Sequence, residues 1–168
     1  SLNVLASLID ENPYQAQRFT TSLSKVYRYV LEQKDKDLVP LSEELKFAKT
    51  YMKLLEMRFE DSIFFEFPEQ LSSEEAKVVP LSLQLLLENT IKHNVVSDSR
   101  PLHIKIIEEN GYLIVQNNFQ KKEVLGDRKG VGLQNIVNRY DVVTERKVLI
   151  EQNEDHFKVK LLILTKQI

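Results

Sequence analysis

The sequence predicts an α+β fold: a mixed, largely antiparallel sheet with helices on one face, preceded by a helical segment. Three observations predict it. Apolar residues recur at helical spacing as far as Phe59. Beyond Phe59 the texture changes to short β-branched and aromatic runs. Asn110-Gly111, a strong hairpin signal, stands between two such runs.

The elements follow in order. Leu2, Leu5, Leu8 and Ile9 form a first apolar stripe. Asn12-Pro13 interrupts it, because proline lacks a backbone donor and restrains the residue before it. Ala16, Phe19, Leu23, Val26, Tyr27, Val30 and Leu31 mark a second helix, and 33–37 is a polar linker. Ser42 is expected to cap a third helix, with Glu43 and Glu44 at the positive end of its dipole. The apolar stripe of that helix is Leu45, Ala48, Met52 and Leu55. A strand is expected at 63–67, ended by Pro68, and a loop at 71–77. Pro80 opens a helix to about Asn94, with Leu83, Leu86, Leu87 and Ile91 on one face. Strands at 102–109 and 112–116 flank the Asn110-Gly111 turn, and 117–129 is a polar, basic loop. A helix over 132–143 and two strands at 148–151 and 157–164 complete the chain. The change in composition divides it into a helical region, 1–60, and an α+β region, 61–168.

Hydrophobic residues make up 42% and charged residues 29%, enough apolar surface for a core. The net charge of −2, with both signs interspersed, excludes the basic stripe of a nucleic-acid binder. The absence of cysteine excludes disulfides, thiolate zinc sites and cysteine nucleophiles. The three histidines match no zinc spacing. No apolar run approaches the roughly 18 residues of a membrane span. The helical pattern is already under way at Ser1, so the chain is expected to be a piece of a longer protein.

Three constellations carry possible chemistry. In the first, Asn89 and His93 are four apart on a helix and share a face, as do Glu88 and Lys92 beside them. An asparagine carbonyl is a hard oxygen ligand for Mg²⁺, and Lys92 and His93 suit phosphate oxygens. A solvated helix face with an i,i+4 ion pair is the competing reading. The second is Arg128-Lys129-Gly130-Val131-Gly132-Leu133, directly before a helix. Glycines let backbone N–H groups approach an anion, and the helix start adds partial positive charge. A loop that needs positive φ is the alternative. The third is Asn117-Asn118 at a strand end, where amides can read a purine edge or simply form a turn.

Taken together, Glu88-Asn89-x-x-Lys92-His93, Asn117-Asn118 and Gly130-Val131-Gly132-Leu133-x-Asn135 resemble the N, G1 and G2 boxes of the GHKL ATPase superfamily. The version around Leu87-Glu88-Asn89 resembles the LytS-type sensor histidine kinases. The helical part is similar too, through Leu41-Ser42-x-Glu44-Leu45, Tyr51, and Glu56-x-Arg58-Phe59. The resemblance implies a GHKL-type sandwich behind helical dimerisation segments, and transfer of the ATP γ-phosphoryl to a histidine and on to a response regulator. The family's phosphoacceptor histidine falls just before Ser1. The implied cofactors are ATP and Mg²⁺: Asn89 holds the magnesium, Lys92 and His93 lie near phosphates or ribose, and Asn117 and Asn118 lie at the adenine. Gly130, Gly132 and Leu133 form the lid base with N–H groups facing phosphate, Arg128, Lys129 and Val131 lie at the nucleotide beside them, Asn135 follows on the helix, and Glu88 polarises the attacking imidazole. The implied setting is the cytoplasmic part of a homodimeric inner-membrane sensor, held to the membrane only by segments ahead of Ser1. Departures from the family pattern are Phe119 where relatives often carry glycine, Asn117 in place of aspartate, and His156-Phe157 in the last hairpin. A non-catalytic GHKL regulatory module is the alternative function.

Overall fold

The computed structural model describes residues 2–120 and 131–165. Helices α1 (Leu2–Glu11) and α2 (Pro13–Gln33) are separated at the expected break, where the Asn12 side chain accepts the Gln15 N–H at 3.1 Å and Pro13 starts the next helix. Strand β1 (Val39–Pro40) leads directly into α3 (Leu41–Phe59). Ser42 is not the cap of α3. Pro40 holds that position without a side-chain bond, and the Leu41 N–H donates instead to the Ala76 carbonyl at 2.8 Å. That tie comes from β3 (Lys77–Val78), which pairs antiparallel with β1. The expected loop over 71–77 therefore ends in a strand. Two residues are too few to show the period-2 alternation by which a strand is read.

After a 3₁₀ turn at Glu60–Ser62 come β2 (Ile63–Glu66), α4 (Ser82–His93), β4 (Leu102–Glu109), β5 (Tyr112–Asn118), α5 (Val131–Val143), β6 (Leu149–Gln152) and β7 (His156–Leu162). The five-stranded sheet has the order β2-β4-β5-β7-β6. Among the described strands only β2 and β4 are parallel, and the crossover that a parallel pair needs runs through α4. Helix α4 starts later than Pro80 because Leu81 takes a left-handed conformation, φ 64°, immediately before it.

Alternation along the strands sets the two faces. Leu102, Ile104 and Ile106 of β4, Leu113 and Val115 of β5, and Val159 and Leu161 of β7 are buried. They pack with Leu83, Leu86 and Leu87 of α4, Ile136 and Tyr140 of α5, and Leu41, Leu45, Ala48 and Met52 of α3. His103 and Lys105 on the other face of β4 are exposed. Burying each such leucine contributes roughly 2 kcal/mol. A smaller cluster of Phe19, Val26, Phe47 and Leu54 joins α2 to α3. Helix α3 thus has two apolar faces, one on the sheet's core and one on α2.

Asn110 (φ 52°) and Gly111 (φ 78°) both take left-handed conformations, as a two-residue type I′ turn requires. Space is not the constraint at Gly111: an added Cβ would sit 3.7 Å from Arg146 Nη2, ordinary contact. Backbone strain is. Gly111→Ala should therefore cost about 1–2 kcal/mol in urea unfolding. A cost near zero would mean that the turn relaxes into another conformation.

Candidate functional site

Helices α4 and α5 pack as neighbours on the same side of the sheet. The buried stripe of α4 is Ser82, Leu83, Leu86, Leu87 and Thr90. Asn89 lies at the margin of that stripe and is half-buried; its amide is not sealed in apolar packing. His93, one turn on, is half-buried, and Lys92 is exposed. Glu88 is exposed and points along α3: its Oε1 accepts Gln84 Nε2–H at 3.0 Å and lies 3.5 Å from the Tyr51 hydroxyl. Burial first, and the charge of Glu88 second, hold the Tyr51 phenol well above its ordinary pKa.

Gly132 lies in the first turn of α5. Its φ is not in the positive region, and among the described residues, its own helix backbone and chain neighbours aside, no atom lies within 4 Å of the place a Cβ would take. A glycine inside a helix costs about 1 kcal/mol relative to alanine. Neither its backbone conformation nor packing among the described residues requires this one, which is compatible with close approach by a ligand. The helix start also offers orphan N–H groups and partial positive charge. Leu133 is half-buried against the core and Asn135 is exposed. Arg128, Lys129 and the lid-base Gly130 lie outside the described residues, as does most of the expected 117–129 loop. The side chain of Val131 does too.

The two asparagines of β5 separate. Asn117 falls on the helix-bearing face, in register with Ile104 and Phe157, and is 2% exposed. Its Nδ2 donates to the Asn118 carbonyl at 2.9 Å. Phe119 and Phe157 stack beside it with ring centroids 6.5 Å apart. Asn118 points to the opposite face. There its Oδ1 accepts the His103 N–H at 2.7 Å and its Nδ2 donates to the Pro101 carbonyl at 3.0 Å. That amide clamps the edge of β4. Asn89, Gly132 and Asn117 thus share one side of the sheet.

Sequence reasoning gave no role to Asn94. It is buried, with Nδ2 donating to the Thr90 carbonyl and Oδ1 accepting the Gln120 N–H, each at 2.8 Å. The carboxyl end of α4 is thereby pinned to the chain just past β5. An asparagine directly after the last helical residue was the available signal. Among the described residues no three His, Asp or Glu side chains converge on a metal position. A divalent ion at Asn89 would therefore lean on ligand oxygens and water, as Mg²⁺ commonly does.

A family model described as Histidine kinase matches residues 1–63. Sensor protein LytS of Enterococcus faecalis is 30% identical over 109 residues, 64% of this chain and 18% of that protein. Sensor protein kinase HptS of Staphylococcus aureus is 31% identical over 123 residues, 70% of this chain and 23% of that protein. The chain belongs to the LytS-type sensor histidine kinases. It spans only about a fifth of the length of these two relatives. Solved structures agree on the fold of this sensor-kinase chain. The cytoplasmic segment of histidine kinase QseC superposes with a TM-score of 0.53 at 16% identity, covering 90% of this chain and 94% of that one. The catalytic domain of histidine kinase ThkA gives a TM-score of 0.50 at 15% identity, covering 77% and 97%. Among the described residues of the sensor-kinase chain, no helix is long and apolar enough to cross a membrane.

Proposed function

We propose that this chain is the ATP-binding catalytic part of a two-component kinase. It transfers the γ-phosphoryl of Mg-ATP to a histidine, from which it passes to an aspartate on a response regulator. The observation that carries this reading is Gly132: a helical glycine that neither its φ nor any contact among the described residues demands, on the same side of the sheet as Asn89. In this reading the Asn89 carbonyl would hold a magnesium ion, which would supply charge neutralisation at the phosphates. Lys92 and the α5 N–H groups bind phosphate oxygens, and Asn117 faces the adenine. An acceptor imidazole nitrogen attacks the γ-phosphorus. The bond to the β,γ-bridging oxygen breaks, and ADP leaves with the electron pair. Positioning and charge do most of the catalytic work in such a transfer. Glu88 lies beside Asn89 and orients the acceptor imidazole. In this reading the protein acts as a homodimer on the cytoplasmic side of a membrane, as the resemblance to the LytS-type sensor kinases implies.

A second reading is favoured by one observation. The Phe119–Phe157 stack stands beside Asn117, whose amide already donates to the Asn118 carbonyl. A site closed at its base end would leave a nucleotide-free scaffold. Titration calorimetry with Mg-ATP separates the two. The kinase reading expects saturable binding below millimolar nucleotide. It also expects acid-labile, ATP-derived phosphate in a longer chain that carries the acceptor histidine ahead of Ser1. Absence of binding at millimolar Mg-ATP leaves only the scaffold.

A further inference from the structure

Glu44 is fully buried in the first turn of α3, with 0% exposure. Its Oε2 accepts the hydroxyl of Tyr29, from α2, at 2.5 Å. Among the described residues no donor meets its Oε1 with ordinary hydrogen-bond geometry. The carboxyl faces the amino end of α4, where the backbone N–H groups of Leu83 and Leu81 favour its charged form. That helix start has no side-chain cap of its own, and Leu81 is held there in a left-handed conformation. Orphan N–H groups and the positive end of a helix dipole attract an anion. The charged and titratable groups facing Glu44 are Tyr29 from α2 and Arg139 and Tyr140 from α5. Tyr140 in turn accepts the Val79 N–H at 3.3 Å, just ahead of α4. The Tyr29 ring stacks on Phe47 at 4.1 Å, and Phe47 lies 6.5 Å from Tyr51, whose hydroxyl approaches Glu88. Helix α2 thus reaches α4 at two places through α3: at its amino end by Glu44, and beside Asn89 by the aromatic series.

We propose that Glu44 is a positioning residue that couples the seating of α2 to the placement of α4, so that a shift of α2 alters the nucleotide site without touching it. The inference rests on the proposed ATP-binding reading for its functional consequence, but the strut itself does not. Burial raises the Glu44 carboxyl, to about 7, so that it titrates near neutrality. The Tyr29 hydrogen bond and the α4 N–H groups oppose that rise.

The test combines amide hydrogen exchange with Mg-ATP titration on the whole chain. Glu44→Ala should speed exchange at Leu81 and Leu83 at least tenfold relative to Ile106 in β4, and weaken Mg-ATP at least tenfold. Tyr29→Phe, which leaves every proposed nucleotide contact in place, should weaken Mg-ATP at least threefold. Glu44→Gln should restore most of the affinity but abolish its pH dependence between 6 and 8. Exchange at Leu83 that only keeps pace with Ile106, or a Tyr29→Phe protein that binds as wild type does, overturns the proposal. If Glu44→Ala fails to fold, the Tyr29→Phe and Glu44→Gln arms decide. If the wild type binds no Mg-ATP, the kinase reading fails, and the exchange at Leu81 and Leu83 alone judges the strut.

Discussion

Asn89→Ala is expected to weaken Mg-ATP binding by about 30-fold or more, the loss of roughly 2 kcal/mol from one charge-assisted contact. Its unfolding midpoint without nucleotide should stay within a degree or two of wild type. The two outcomes together are informative. Asn89 is half-buried at the edge of the α4 stripe, whose packing is carried by Leu83, Leu86 and Leu87. Alanine is also the better helix former, so truncation leaves the scaffold in place. A purely structural asparagine would give the reverse pattern, a lowered midpoint with unchanged affinity. Asn118 serves as the internal control. Its amide clamps the β4 edge on the opposite face, so Asn118→Ala should lower the midpoint and spare Mg-ATP affinity. Calorimetry and thermal unfolding of the two variants, side by side, decide between these assignments. An Asn89→Ala protein that binds Mg-ATP within threefold of wild type removes Asn89 from the site.

Stability should fall as pH rises from 5 to 8, and Glu44 should account for most of the fall. The carboxyl titrates near 4.5 when unfolded and is raised to about 7 in the fold, chiefly by burial. Between those values the folded chain holds a proton that the unfolded chain has released. The stabilisation is therefore full below about 4.5 and is lost as pH climbs through 7. The difference amounts to roughly 3 kcal/mol, or about 8 °C in the midpoint of a chain this size. Glu44→Gln keeps the shape and an oxygen for the Tyr29 hydroxyl, and should flatten the curve over this window. A wild-type midpoint that is level from pH 5 to 8, or a slope that persists in Glu44→Gln, would show that another group carries the dependence.

Local chemistry wrote much of this fold into the chain. The Asn12-Pro13 break, the β4 hairpin at Asn110-Gly111 and the stripes of α3, α4 and α5 were all legible, because each depends on neighbours within a few residues. The candidate site was legible only as polar residue types and glycines at given spacings. Asn89 and Gly132 lie on the same side of the sheet. The two-stranded β1–β3 ribbon was not legible, nor was its replacement of Ser42 at the start of α3, since both depend on Ala76 and Lys77 arriving from far along the chain. Asn117 and Asn118 read alike in sequence; strand pleat and register sent one to the helix-bearing face and the other to the opposite one.

The sequence by itself thus determined the periodicities, the turns and the inventory of polar groups, because these are set by bonding and sterics within a turn or two of chain. Only the tertiary structure decided which polar groups lost their water. Glu44 reads in sequence as an ordinary first-turn acid; packing of α2, α4 and α5 around it made it a buried carboxyl shared among helices. Burial and long-range pairing arise from the sum of contacts made by distant segments, and no window of sequence contains them.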